Sequence, residues 1–344
     1  MKNTAERIAF WNNKGGTGKT SLAFQVICDY AHKNPTKRIL TIDVCPQANL
    51  SELLLGGLNQ GGSNNLLQRQ GAIPRATIGG YFQIRLPSPY TSPSFEPRDF
   101  ITTPYTYNSY IPENIDLLCG DSMLELQSNA ISTLANNQIP GTNTWLAIIN
   151  WLNDFLETID GSYDVVFFDL NPSFSIYTQI ALASTKKLVL PVMADDSSRR
   201  AIQNVFSLIY GIKLPSEIYT RYAFAEKLKE AEQDLPKVHA ILKNRITQYM
   251  GSASAFNTVL NAINIDIESL MKGHKSFFTF KNIQDGILEV RDFNTTGVVS
   301  AARGCPFYKL PAGRLDLLGR RVQVRAEFRQ DCINSIDKVV SRIL

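Results

Sequence analysis

Short runs of apolar, mostly branched or aromatic residues recur along the chain. They lie at Arg7–Trp11 (RIAFW), Arg38–Ile42 (RILTI), Ile115–Leu118 (IDLL), Val165–Phe168 (VVFF) and Leu188–Val192 (LVLPV), with a weaker sixth at His239–Leu242 (HAIL). Continuous apolar runs of this length suit strands of a parallel sheet covered on both faces. Between them the apolar spacing becomes helical. It predicts helices over Thr20–His32, Thr144–Ile159, Ser198–Tyr210, Ala253–Met271 and Glu327–Leu344. In Thr144–Ile159 the apolar positions are Trp145, Ile148, Ile149, Trp151, Leu152 and Phe155. Strands alternating with helices indicate a doubly wound, mostly parallel α/β sheet with helices on both faces.

One segment breaks this rhythm. Residues 56–112 contain GGLNQGGSNN and a stretch rich in proline, serine and tyrosine. An irregular segment this long inside a compact domain is either an insertion with a function or a solvated excursion. Tyr105, Tyr107 and Tyr110 within it offer contact area with a polar tip, suited to a binding surface or to packing the segment onto its own domain.

Composition narrows the class. The 344 residues are 44% hydrophobic and 19% charged, with net charge +4, which is too small to demand a nucleic-acid partner by itself. Cys28, Cys45, Cys119, Cys305 and Cys332 are scattered without a CxxC pair, as expected of reduced thiols in the cytoplasm. Three histidines give no metal-ligand spacing. No signal-peptide pattern and no membrane-length apolar run is present, so the expectation is a soluble intracellular chain.

The chemistry starts after the first strand. Lys14-Gly15-Gly16-Thr17-Gly18-Lys19-Thr20-Ser21 sits between a predicted strand and a predicted helix, the context of a phosphate-binding P-loop. The glycines let successive N–H groups point at phosphate oxygens, and the helix N-terminus adds a favourable dipole. Lys19 would supply charge to the terminal phosphates and Thr20 a hydroxyl to Mg²⁺. Asn13 stands where the standard pattern has glycine, and Lys14 adds a second lysine. Asp169, ending the VVFF strand, is placed to reach Mg²⁺ through water.

KGGTGKT resembles the deviant Walker A box of the ParA/MinD family of P-loop ATPases. Further matches follow in order: IDVCPQAN (Ile42–Asn49) resembles the D-x-D-P-Q-x-N switch, YDVVFFDLNP (Tyr163–Pro172) the Walker B strand, and Asn244-Arg245 the adenine-side motif. The match is good over Arg7–Asn49 and about Ile115–Arg245, and loose in the C-terminal third. The resemblance implies a single ATPase domain over residues 1–344, with ATP and Mg²⁺ as cofactors. It implies that Lys14 reaches the partner's ATP in a nucleotide-sandwich homodimer, and that Asp43 helps order the Mg²⁺ shell. The family's water-positioning second aspartate is Cys45 here. A thiol beside phosphate should stay protonated and orient water poorly, so binding is expected with slow or partner-stimulated hydrolysis. Asp164, Asp195 or Asp196 could substitute, though no spacing places them on the water.

Basic residues gather towards the C-terminus at Arg314, Arg320, Arg321, Arg325 and Arg329, followed by Lys338 and Arg342. Arg321, Arg325 and Arg329 would share a face if residues 314–344 were helical. ParA-like proteins use such residues to bind DNA without sequence preference; alternatively the face is solvated and paired with Glu327 and Asp331. Arg199 and Arg200 form a second basic pair, read more readily as surface charge. The amphipathic end Val339–Leu344 lacks Trp or Phe anchors, so no stable membrane association is expected. The leading expectation is a cytoplasmic ParA-like partition or positioning ATPase, nucleoid-associated when ATP-bound and working with a ParB-like adaptor or cargo. The alternative is a hydrolysis-poor dimerisation switch acting as regulator or scaffold. An ATP-dependent biosynthetic or reductase member of the same superfamily ranks last, because those reductases use paired cysteines for an iron–sulfur cluster and the five cysteines here offer no pair at short spacing.

Overall fold

The computed structural model describes residues 5–193, 195–246 and 255–344. Eight strands form one sheet: β1 (Glu6–Phe10), β2 (Ile39–Val44), β3 (Ile101–Thr102), β4 (Ile115–Leu118), β5 (Val165–Leu170), β6 (Lys187–Met193), β7 (Lys237–Ile246) and β8 (Ile287–Arg291). β9 (Gly313–Leu317) and β10 (Arg320–Val324) make a separate hairpin. The sheet order is β3-β4-β2-β5-β1-β6-β7-β8, all parallel except β3 against β4. β1 is therefore internal, between β5 and β6, and the loop leaving it emerges between two covered strands.

The helices in chain order are α1 (Lys19–Lys33), α2 (Asn49–Leu54), α3 (Gly62–Gln70), α4 (Ile78–Arg85), α5 (Met123–Ala135), α6 (Thr144–Ile149) and α7 (Trp151–Thr158). They continue with α8 (Ile176–Ala183), α9 (Asp196–Tyr210), α10 (Phe224–Glu230), α11 (Ala255–Gly273), α12 (Ile283–Gly286), α13 (Asn294–Arg303) and α14 (Ala326–Ile343). Alternation along each strand divides the core. Ala9, Leu40, Ile42, Val166, Phe168 and Leu190 face a layer containing α4 to α11. Ile8, Phe10, Ile39, Phe167 and Val189 face α1, α2 and α14. Covering both faces is what makes the strands apolar throughout.

The expected strands and helices are present, with instructive differences. The Thr144–Ile159 helix is two pieces, because Asn150 adopts φ −87°, ψ 2° and its side-chain oxygen accepts from Asn153 and Gln233. The predicted start at Ala253 lies outside the described residues. Residues 56–112 are not wholly irregular: they carry α3, α4 and β3. This segment is fastened to the fold by the buried Arg85, whose guanidinium lies 2.5 Å from Asp154, and by the Tyr81 hydroxyl donating to the Trp151 carbonyl at 2.5 Å. Gly57 (φ +57°) meets Gly304 so closely that a Cβ would stand 2.5 Å from the Gly304 nitrogen.

The larger correction concerns the C-terminal basic region. Residues 314–324 are not helical but form the β9–β10 hairpin, with Leu318 (φ +51°) and Gly319 (φ +78°) at its turn. Leu315 sits opposite Val322, and both pack on a small cluster of Val299, Cys305, Leu310 and Val324. Two consecutive left-handed residues match the twist of a two-residue hairpin, which closes this alternating pattern more readily than a helix could. Arg321 thus lies on a strand, Arg325 precedes α14 and Arg329 lies within it, so the three share no helical face.

Candidate functional site

The loop from β1 to α1 is anchored by Asn12. Its buried side chain donates to the Pro191 carbonyl at 2.8 Å and accepts from the Lys14 N–H at 3.1 Å. Gly16 (φ +75°) and Gly18 (φ +83°) take left-handed conformations that open the loop around the start of α1. A Cβ at Gly15 or Gly16 would meet nothing within 4 Å, so the loop's concavity is open there. At Gly18 a Cβ would stand 2.2 Å from Asn244 Nδ2, which itself donates to the Thr17 carbonyl at 2.9 Å. The end of β7 therefore braces the loop through Asn244, and the adjoining Arg245 has φ +61°.

The two lysines occupy different places. Lys19 is buried at the first position of α1 and donates to the Lys14 carbonyl at 3.0 Å, inside the loop. Its pKa is lowered by burial, offset in part by Asp169. Lys14 points outward: its Nζ lies 2.5 Å from Asp195 Oδ2 and 3.2 Å from Ser198 Oγ. Asp195 caps α9 through the Ser198 N–H. Burial raises its pKa, but the bonds from Lys14, Ser197 and Ser198 outweigh this and hold it near 2.

Asp43 and Asp169 are register partners at the ends of β2 and β5. Asp169 Oδ2 accepts from the Thr20 hydroxyl at 2.7 Å, whereas its Oδ1 is buried without a partner among the described residues. An orphaned carboxylate oxygen beside a threonine hydroxyl fits a hard cation carrying its own water and phosphate ligands. Among the described residues no three His, Cys, Asp or Glu side chains cluster as a metal site. Asp43 is occupied otherwise: it accepts from Ser51 N–H, Ser51 Oγ and Cys45 N–H at 2.9, 2.7 and 3.2 Å. Burial pushes both carboxyls up, and the Asp43 charge adds to the effect at Asp169.

Cys45 starts the turn leading to α2. Burial, with Asp43 and Asp169 adding to it, pushes its thiol up to about 12, so it is a neutral group at the mouth of the site. The alternative aspartates are engaged elsewhere. Asp164 holds Lys37 and the Arg38 N–H, and Asp196 pairs with Arg199 and Arg200. Arg199 also pairs with Asp266 at 2.7 Å, so neither arginine of that pair is a free cation.

Beside the loop lies a cavity of about 370 Å³, lined by Gly18, Ser21, Asn244, Arg245, Asp292 and Asn294 among others. It is sited to take a nucleotide base whose phosphates lie in the loop. Arg314, Arg320, Arg321 and Arg325 are exposed, while Arg329 is half-buried and donates to the Leu310 carbonyl at 2.9 Å. Sequence reasoning missed Asn12, Ser51, the Asp195 partner of Lys14 and the Asp292–Asn294 wall. Only the Asp195 cap had a readable signal, in DDSS before a helical pattern.

The chain is similar to known proteins in family and fold. A family model described as an AAA domain matches residues 5–220. A virulence plasmid ParA family protein, pGP5-D of Chlamydia muridarum, is 28% identical over 218 residues, covering 63% of this chain and 66% of that protein, just under two thirds of its length. Apo McdA of Cyanothece superposes with TM-score 0.59 at 12% identity over 98% of this chain and 99% of that one. A Borrelia burgdorferi B31 protein described as a plasmid partition protein, bound to AMPPNP, gives TM-score 0.55 at 14% identity over 98% and 100%. No helix among the described residues is long and apolar enough to cross a membrane. The chain belongs to the ParA/MinD family of deviant Walker A P-loop ATPases.

Proposed function

We propose that this protein is a ParA-like partition or positioning ATPase, its residues 1–344 acting as one ATPase domain. The observation that carries the reading is the division of labour between two lysines of one loop. Lys19 lies inside, where it would meet the ATP phosphates, and Lys14 stands at the rim on Asp195, where a second subunit's nucleotide can reach it. Backbone N–H groups of residues 15–20 would cradle the phosphates. Thr20 and, through water, Asp169 would hold Mg²⁺, and Ser21, Asn244 and Arg245 would flank the nucleoside. Bound Mg²⁺ would neutralise charge developing on the transferred phosphoryl group.

ATP binding then drives a homodimer, and the dimer holds DNA without sequence preference. Arg314, Arg320, Arg321 and Arg325 are the phosphate contacts, with Arg329 assigned instead to fixing the start of α14. The protein works in the cytoplasm on the nucleoid, and a ParB-like adaptor or cargo protein releases it by stimulating hydrolysis. Cys45 favours a second reading, an ATP-dependent dimerisation switch with little turnover, because a buried neutral thiol replaces a water-positioning carboxylate.

The deciding experiment is ATP turnover with Mg²⁺, alone and with duplex DNA, beside Cys45→Asp. A partition cycle predicts slow turnover that DNA and a cargo adaptor accelerate, and a rise of about 10²-fold or more in Cys45→Asp. Dimers that bind ATP without turnover under every condition would favour the switch. Failure to bind ATP would overturn both.

A further inference from the structure

A second concave surface lies at the other end of the sheet from the P-loop. Phe278 bridges to Val238 near the start of β7, whereas the phosphate loop leaves the far end of the parallel strand β1. Here the end of α11, the turn after it and the start of α12 enclose a groove of about 780 Å³. Its floor is apolar, formed by Met271, Phe278, Phe280 and Ile283. The floor is also firmly built. Phe206, Phe278 and Phe280 pack in a row with ring centroids 5.5 and 5.3 Å apart, and the Phe280 ring lies so close over Gly286 that a Cβ there would stand 2.2 Å away.

The rim has the opposite character. Lys272, Lys275 and Lys281 border the groove, all exposed, and among the described residues none of them forms an ion pair. Among the described residues that line the groove, the acidic side chain is Glu268. Three ammonium groups against one carboxylate leave the rim of the groove with an excess of positive charge. By contrast, Lys33 is held by Asp29 and Asp337, and Lys37 by Asp164.

We propose that this groove docks an acidic amphipathic peptide segment of a partner protein, its apolar residues against the half-buried Met271 and Ile283 that the packed rings support, and its carboxylates on the three lysines. The shape and chemistry match a helix-in-groove or extended-peptide mode, in which a few apolar anchors give affinity and rim charges give orientation and rate. Nucleic acid fits less well. A phosphate backbone has nothing to place on the floor, and Phe278 and Phe280, only 6% and 5% exposed, leave little ring face for a base to stack on. The site is separate from the nucleotide loop, so occupancy of one does not block the other.

The test uses a fluorescein-labelled peptide carrying leucines on one helical face and glutamates on the other, with the full-length protein and fluorescence anisotropy. A lysine-for-glutamate version of the peptide and a labelled DNA duplex serve as comparisons. Binding of the acidic peptide is expected to be saturable and to weaken with added salt. It should fall by about tenfold or more in the charge-reversed variant Lys272→Glu/Lys275→Glu/Lys281→Glu. All three positions are exposed, and unchanged ATP binding by the variant establishes that it is folded. A second variant, Met271→Ala, should weaken the peptide without changing the salt dependence. The proposal is overturned if the acidic peptide does not bind, or binds wild type and the triple variant alike. It is equally overturned if the variant loses DNA binding or self-association while peptide affinity stays the same.

Discussion

Asp169 brings an unbalanced charge into the centre of the fold. It is 1% exposed, Asp43 stands beside it in register, and Lys19 is the cation acting on it. Its pKa is pushed up to about 7, first by burial and then by Asp43. A carboxyl whose pKa rises on folding binds its proton more tightly in the native state. The stability it contributes is fully present below the unfolded pKa of about 4 and is lost as pH rises through the folded value. Thermal melts of nucleotide-free protein should therefore show this pair costing stability between about pH 4 and pH 7. Asp169→Asn keeps an acceptor for Thr20 and removes the charge, so it should stabilise the protein by roughly 1–3 kcal/mol at about pH 8 and by much less at about pH 5. The same variant should hydrolyse ATP at least about 10²-fold more slowly. Equal melting temperatures at the higher pH would mean that the charge is already compensated. Gly18 makes a complementary case. Gly18→Ala combines a left-handed φ with a clash on Asn244, so isothermal titration should find ATP affinity lowered by about tenfold or more.

Elements that were covered on both faces could be read directly from the chain. β1, β2, β4, β5 and β6 announce themselves as apolar runs, and α1 follows from the glycine loop that precedes it. Other elements could not. β8 (ILEVR) is short and carries charges, the buried α8 (IYTQIALA) is apolar on nearly every side and so shows no periodic face, and β9–β10 was obscured by an arginine spacing that imitates a helix. The hairpin did have a signal of its own. Leu315 and Leu317, then Val322 and Val324, alternate about a glycine turn, and a period of two outweighs charges spaced by four. The candidate site divides similarly. The phosphate loop and Asp169 depend on local sequence, whereas Asn12 to Pro191, Asp43 to Ser51 and Lys14 to Asp195 join residues that only the fold brings together. The hairpin changes what mutagenesis should find. Arg320→Glu/Arg321→Glu should weaken duplex DNA binding by ATP-loaded protein and make the salt slope shallower by about one unit for each phosphate no longer neutralised. Arg329→Ala should instead lower the melting temperature with little change in DNA affinity, since its guanidinium is spent on the Leu310 carbonyl. If the two swapped phenotypes, the phosphate-binding arginines would belong to α14.

At the scale of the whole molecule, the decisive question is where Lys14 goes when two copies meet. In the single chain it rests on Asp195, with side-chain exposures of 22% and 41%. A pair this accessible to water contributes at most about 1 kcal/mol, so the contact positions the lysine without locking it. The terminal phosphates of a partner's ATP carry more charge than one carboxylate, and they would lie in a site that closure dries, where the same attraction is stronger. The exchange should then favour the dimer, at the small cost of releasing Asp195. Two substitutions separate holding from reaching. Lys14→Ala should bind ATP as a monomer with near-normal affinity and fail to dimerise in sedimentation with a slowly hydrolysed analogue. Asp195→Asn should dimerise severalfold more readily, by about the factor that a surface ion pair is worth. Its effect must stay small, because Ser198 still offers Lys14 a resting place at 3.2 Å and an asparagine can still cap α9. Dimerisation unaffected by Lys14→Ala would remove the lysine from the interface and leave Lys19 alone to serve the nucleotide.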